Sequence, residues 1–129
     1  MKLKETHLQQ AIVFRKIMDQ PTNVYSQNTL NIQSRLITEE FKEFLAAYSE
    51  SIKYIQNPRA REDALKELSD LVYVCYQFSA AAGWDLDEAL DRVHKSNLSK
   101  LVDGKPLKRE DGKVQKGPNY KKPNLADLI

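Results

Sequence analysis

Acidic side chains recur at one-turn spacing in two parts of the sequence. The first part, "TEEFKEF", contains Glu39, Glu40 and Glu43, and the second, "KELSD", contains Glu67 and Asp70. Residues three or four apart lie on the same face of a helix, so each part can direct two carboxylates to one side. Like charges at this spacing repel and destabilise an isolated helix by about 0.2–0.5 kcal/mol per pair. The pattern therefore requires a reason for keeping the acids together.

The apolar residues around these acids predict two amphipathic helices. In the earlier helix the acids flank an apolar stripe that consists of Leu30, Ile37, Phe41, Phe44, Tyr48 and Ile52. In the later helix the stripe consists of Ala64, Leu68, Leu71, Val74, Cys75 and Phe78. Glu67 lies inside this second stripe and Asp70 borders it. An acid on a packing face is costly unless it is paired, protonated or bound to metal.

No Lys or Arg lies on the apolar stripe of the later helix, so the sequence offers no cation there to neutralise Glu67. Two carboxylates of each helix, Glu40 and Glu43 with Glu67 and Asp70, are then expected to converge on a hard divalent cation. Ligation by oxygen alone favours Mg²⁺, with Mn²⁺ as a substitute. The alternative is that the acids of the earlier helix form a solvated flank beside the core.

Helical periodicity predicts four helices in residues 1–102. They span about residues 5–19, 29 to between 48 and 55, 61–82, and 85–101. Gly83 is suited to end the third helix, and Asp85 is suited to cap the start of the fourth. No alternation typical of a strand appears in this part, so we expect an all-α fold, a protomer of the four-helix bundle type.

The remaining segment, residues 103–129, differs in composition. It holds seven Lys and Arg against four Asp and Glu, whereas residues 1–102 hold 13 against 14. It also contains three of the four glycines and three of the five prolines. We therefore predict a helical domain, 1–102, and a basic, turn-rich extension, 103–129, with an ordered arm or short hairpin. Apart from Tyr120 the extension lacks aromatic residues for base stacking, which does not favour nucleic acid as a partner.

The order E-E-x-x-E followed by E-x-x-D, on consecutive helices, resembles the signature of the all-α NTP pyrophosphatase superfamily, which includes MazG. The segment "VHKSNLSKLVDGKPLKREDGKVQKGPNY" is similar to the C-terminal part of the MazG-like group labelled phosphoribosyl-ATP pyrophosphohydrolase-like. This resemblance covers about residues 35–123. It implies a Mg²⁺-dependent enzyme whose catalytic domain is residues 1–102. Such an enzyme hydrolyses a (d)NTP between its α and β phosphates, giving a (d)NMP and pyrophosphate.

The resemblance also assigns roles to individual residues. Carried over by motif position, the metal ligands are Glu40, Glu43, Glu67 and Asp70. Glu39 is left to orient or deprotonate the attacking water. In the fourth helix, Asn97 would contact sugar or base, while Lys95 and Lys100 would bind phosphate, although lysines here also suit the helix dipole without any ligand. Arg35, one turn before Glu39, is either its ion-pair partner or a group that steers phosphate.

Several alternatives stay open at the level of sequence. The resemblance implies nucleotide-pool cleaning, with dUTP or another non-standard or excess dNTP as substrate, but phosphoribosyl-ATP hydrolysis in histidine biosynthesis is an alternative. A non-enzymatic helical oligomer with a structural metal site is another. Members of the superfamily form dimers or dimers of dimers, so a homodimer or homotetramer is expected, with the extension packed on its own domain or on a partner subunit.

The location expected from the sequence is the cytoplasm. A single cysteine, Cys75, fits a reducing compartment. The first ten residues lack the apolar core of an export signal, and no apolar run reaches the roughly 18 residues that span a membrane.

Overall fold

The computed structural model describes residues 4–129, which form four α-helices, a two-stranded hairpin and a final 3₁₀ turn. The elements are α1 (His7–Ile17), α2 (Gln27–Lys53), α3 (Pro58–Ala82), α4 (Leu86–Leu98), β1 (Leu107–Lys108), β2 (Val114–Gln115) and the turn Ala126–Leu128. The prediction of an all-α fold with four helices is confirmed. None of the helices in the described part is both long enough and apolar enough to cross a membrane.

The chain divides into two compact units, one ending at Trp84 and one comprising Asp85–Ile129. Helix α4, which the sequence analysis grouped with the helical domain, thus belongs by its contacts to the second unit. The assignment of residues 1–102 as a catalytic domain stays a prediction.

Helices α2 and α3 pack against each other along their length in the first unit. Alternating steps of three and four residues mark the less exposed side of each helix. On α2 these residues are Gln33, Ile37, Glu40, Phe44, Ala47 and Ser51. On α3 they are Ala60, Ala64, Glu67, Leu71, Val74, Phe78 and Ala81. This spacing is that of a coiled-coil seam, so Glu40 and Glu67 occupy positions that normally carry apolar side chains.

The predicted apolar stripe of α2 is only partly covered. Phe41, Tyr48 and Ile52 are 49%, 51% and 54% exposed, whereas Ile37 and Phe44 are half-buried. The predicted stripe is therefore not buried as one face within the protomer. The physical reason is width: the apolar residues of α2 occupy two adjacent seams, and α3 covers the seam that also contains Glu40.

Helix α1 packs on the C-terminal half of α3 through a small core with a buried cation. Arg15 is only 2% exposed, and its Nε donates a hydrogen bond of 2.7 Å to the carbonyl oxygen of Pro21. A second guanidinium nitrogen donates to Gln77 Oε1 at 3.3 Å, and burial lowers the pKa of Arg15. These hydrogen bonds offset the cost of burying the charge and fix α1 against α3.

The end of α3 is capped by the loop between α1 and α2. The amides of Asn23 and Val24 donate to the carbonyls of Ala80 and Ala81 at 3.1 and 2.8 Å, satisfying acceptors that a helix end leaves open. Gly83 follows with φ of +78°, the left-handed conformation that favours glycine. A Cβ at this position would collide with the Asn23 side chain and lie 3.2 Å from its Cα.

Gly83→Ala is expected to destabilise the protein by about 2–4 kcal/mol, since the left-handed backbone and the collision with Asn23 both oppose it. Urea unfolding measures the loss. The matched control is Gly112→Ala, because Gly112 has a similar φ of +86° but no atom of the described residues within 4 Å of the added Cβ. Equal losses for the two variants would show that the Asn23 contact contributes nothing.

The second unit consists of α4 with the C-terminal segment folded along it. Asp85 caps the helix by accepting from the Glu88 amide at 3.1 Å, as predicted. Arg92 donates to both carboxylate oxygens of Asp127, at 2.6 and 3.0 Å, and Ser96 Oγ donates to the carbonyl of Lys121 at 2.7 Å. The predicted short hairpin is present as β1 and β2, which pair antiparallel.

Candidate metal centre

Three carboxylates meet between α2 and α3. Glu40 from α2 and Glu67 and Asp70 from α3 each place one oxygen so that all three oxygens lie within 4.8 Å of one another. The heptad-like spacing explains the meeting, because Glu40 and Glu67 lie on the two facing seams and Asp70 follows Glu67 by one turn. The spacing of the acids predicted that four carboxylates converge, with Glu43 as the fourth, and the structure brings three of the four together.

Two oxygens of the cluster carboxylates are buried. Glu40 Oε2 and Glu67 Oε2 are inaccessible to solvent and accept no hydrogen bond in the described part of the chain. Burial raises the pKa of Glu40, followed by the charge of Glu43 and a side-chain hydrogen bond to it, and then by the charges of Asp70 and Glu67. Buried acceptors without a donor are costly, so this arrangement suits a cation with a preference for oxygen ligands.

The other two acids of α2 lie at the edge of the cluster. Glu43 is exposed and interacts with Glu40, but it is not one of the three whose oxygens converge. Glu39 is exposed, and within residues 4–129 no ion pair joins it to the exposed Arg35. Of the two roles that the sequence allows for Arg35, the ion pair with Glu39 is therefore not formed.

The expectation that no cation of this helix neutralises Glu67 is wrong, although no Lys or Arg lies on the apolar stripe itself. Lys66 Nζ lies 2.7 Å from Asp70 Oδ2 and 3.4 Å from Glu67 Oε1. The pKa of Lys66 is raised, first by its hydrogen bond to Asp70 and then by the charges of Asp70 and Glu67. Its backbone lies off the apolar stripe, but the flexible four-carbon stem carries the ammonium to the acids. The i, i+4 spacing of Lys66 and Asp70 was the sequence signal that could have revealed the pair.

An open groove of about 840 Å³ lies beside the cluster, where the second half of α2 faces the first half of α3. Glu43 and Glu67 line it together with polar and cationic side chains that carried no role in the sequence analysis, namely Tyr54, Asn57, Arg59 and Lys66. Its volume falls in the range of small-molecule sites in proteins. The groove can therefore hold a ligand that also reaches the carboxylates.

The candidate residues of α4 lie in the second unit. Lys95 is exposed and forms an i, i+4 ion pair with Asp91 at 3.0 Å. Asn97 is exposed, and its carbonyl accepts from the amide of the half-buried Lys100 at 3.2 Å. The geometry shows ordinary helix-end contacts for these residues, and their roles in binding sugar, base or phosphate stay predictions.

The helical pair with E-E-x-x-E on α2 and E-x-x-D on α3 is the arrangement that resembles the MazG-like all-α NTP pyrophosphatases. A family model described as phosphoribosyl-ATP pyrophosphohydrolase matches residues 7–97, and the chain belongs to this family. Membership supports an activity of the nucleotide pyrophosphohydrolase type. A curated relative, "Uncharacterized protein L479" of Acanthamoeba polyphaga mimivirus, is 30% identical over a match that covers 52% of this chain and 40% of that protein.

Proposed function

We propose that this protein is a Mg²⁺-dependent nucleoside triphosphate pyrophosphohydrolase. It adds water across the anhydride between the α and β phosphates of a (d)NTP, and the products are a (d)NMP and pyrophosphate. The observation that supports this most directly is the pair of buried oxygens of Glu40 and Glu67 in the three-carboxylate cluster, which have no hydrogen-bond partner within residues 4–129. They fit a divalent ion, and a triphosphate needs such an ion to approach an acidic site.

The acidic residues have separate roles in the proposed reaction. Glu40, Glu67 and Asp70 would hold the ion, and Glu43 would complete the ligand set from the edge of the cluster. When bound, Mg²⁺ (or Mn²⁺) supplies charge neutralisation for the phosphates and acidifies a bound water. Glu39 orients the attacking water or accepts its proton. It is an exposed carboxylate, and it directly precedes the cluster residue Glu40 in the sequence.

Substrate recognition is assigned to cationic and polar side chains outside the cluster. Arg35 steers phosphate, Lys95 and Lys100 bind it, and Asn97 contacts sugar or base. The groove lined by Arg59 and Lys66 adds positive charge next to the carboxylates, which suits a polyphosphate chain. The physiological role would be to clear dUTP or another non-standard or excess dNTP in the cytoplasm.

The active form is proposed to be a homodimer or homotetramer. Helix α2 exposes a second seam, which consists of Phe41, Leu45, Tyr48 and Ile52 in alternating steps of four and three, and the exposed Ile55 follows just after the helix ends. Each of these side chains is between 43% and 58% exposed. A row of this spacing is the shape that another helix packs against, and a second copy of the chain offers the same row.

A nucleotide panel tests the proposal. The purified protein is incubated with dNTPs, NTPs, dUTP and phosphoribosyl-ATP, with and without Mg²⁺, and the products are separated by anion exchange. We expect pyrophosphate and a monophosphate, formed only with the divalent ion. Preference for phosphoribosyl-ATP would select the histidine-pathway alternative, to which the family's description gives weight. Release of orthophosphate alone would contradict cleavage between the α and β phosphates, and no turnover would favour the non-enzymatic oligomer.

A further inference from the structure

Lys66 contacts two of the three carboxylates that we assign to the metal, those of Asp70 and Glu67. Its ammonium is 2.7 Å from Asp70 Oδ2 and 3.4 Å from Glu67 Oε1, so it neutralises part of the cluster. A divalent ion that takes the same carboxylates would lie a few ångströms from this ammonium, and the two cations would repel each other. The ammonium and the ion therefore compete.

The side chain of Lys66 is built to give way in this competition. It is 65% exposed, and the stem that carries the ammonium is flexible. An exposed ion pair contributes little to stability, whereas a divalent ion gains from oxygen ligands that water does not reach. The buried oxygens Glu40 Oε2 and Glu67 Oε2 are not engaged by Lys66, so the ion has ligands that the ammonium cannot use.

The groove beside the cluster can receive the ammonium after its release. Lys66 also lines the groove beside the cluster, together with Arg59. Two cationic side chains in one groove next to a metal-binding cluster suit a ligand with several negative charges. Neither side chain belongs to the set of residues that the acidic motif identifies.

We infer that Lys66 is an exchangeable counter-ion: it pairs with Asp70 and Glu67 until a divalent cation displaces it, and it then binds the phosphate chain of the substrate in the groove. This inference rests on the proposed function for its substrate, but its first half concerns cation binding alone. It predicts opposite effects of removing the ammonium, tighter binding of the metal and weaker binding of the nucleotide.

The test compares Lys66→Met with the wild type in a titration with Mn²⁺, followed by calorimetry and by the shift in Tm. Met keeps the length and helix propensity of the stem but removes the charge. We expect Mn²⁺ to bind about five- to tenfold more tightly to the variant, since the competing pair is gone. Without divalent ions the Tm of the variant falls because the carboxylates repel, and Mn²⁺ raises it by more than in the wild type. At saturating Mg²⁺ the KM for the nucleotide rises while kcat changes less.

Lys42→Met is the matched control, because Lys42 is an exposed lysine of α2 without an ion pair in the described part of the chain. An equal gain in Mn²⁺ affinity for Lys42→Met would overturn the inference, since it would reflect net charge alone. Weaker Mn²⁺ binding to Lys66→Met would also overturn it, by showing that Lys66 positions the carboxylates. If neither the wild type nor Lys66→Met binds Mn²⁺, both the metal site and the counter-ion are refuted. Metal binding as expected with no nucleotide turnover refutes the proposed function and the phosphate-binding half, and leaves the exchange supported.

Discussion

Replacing Glu67 with Gln is expected to lower kcat/KM by about 10²–10³-fold and to abolish tight binding of a divalent cation. The change removes one charge from a three-carboxylate cluster and leaves the side chain almost the same size. A metal ligand stabilises charge in the transition state by several kcal/mol, and each 1.36 kcal/mol is a factor of ten in rate. Steady-state release of pyrophosphate and Mn²⁺ calorimetry measure the two effects.

The stability of the Glu67→Gln protein separates loss of chemistry from loss of fold. Glu67 Oε2 is buried without a partner among the described residues, and removal of the charge also relieves the repulsion between Glu67 and Glu40. We therefore expect the variant to have an equal or higher Tm than the wild type when no divalent ion is present. A fall in Tm with activity retained at saturating Mg²⁺ would refute the assignment of Glu67 as a ligand.

Glu62→Gln is the matched control for this variant. Glu62 is an exposed glutamate of the same helix, and it forms no ion pair in the part of the chain that the structure describes. The same chemical change should leave both the rate and Mn²⁺ affinity within about twofold of the wild type. A large loss in Glu62→Gln would mean that the overall charge of α3, rather than the cluster, controls activity.

Periodicity and motif order were sufficient to predict the helices and the meeting of Glu40, Glu67 and Asp70, although they placed Glu43 in the same cluster and the structure leaves it at the edge. Both signals are local: a one-turn spacing fixes which side chains share a face, whatever that face contacts. Gly83 and Asp85 were predicted as helix ends for the same reason, since backbone conformation and capping depend on nearby residues.

The features that the sequence did not predict depend on how the helices are rotated against each other and on how far a long side chain extends. The direction of α3 relative to α2 selects one of two adjacent apolar seams, and a hydrophobic stripe alone does not encode that choice. Lys66 was missed because its position on the helical wheel describes where its Cα lies and not where a long side chain ends. The groove that contains Arg59 was missed because it is a property of two surfaces together.

The exposed seam of α2 leads to the second large expected effect. If a second copy of the chain covers this seam, Tyr48→Glu combined with Ile52→Glu should convert the oligomer to a monomer. Burial of each side chain contributes about 1.5–3 kcal/mol, and a two-fold interface contains each residue twice. The dissociation constant should rise at least about 10³-fold, since burying the new carboxylates adds a further cost. Sedimentation velocity across a range of protein concentrations measures it.

Ser49→Glu combined with Gln56→Glu is the control, because it introduces the same charge at exposed positions beside the seam. This variant should keep the wild-type mass in solution, and circular dichroism should show equal helix content in both variants. A wild type that sediments as a monomer at all concentrations would refute the oligomer, and so would a seam variant that remains associated. The mass of the wild type is the more informative of the two measurements. Tyr48 and Ile52 are 51% and 54% exposed, so a monomeric wild type would leave this row of apolar side chains in water.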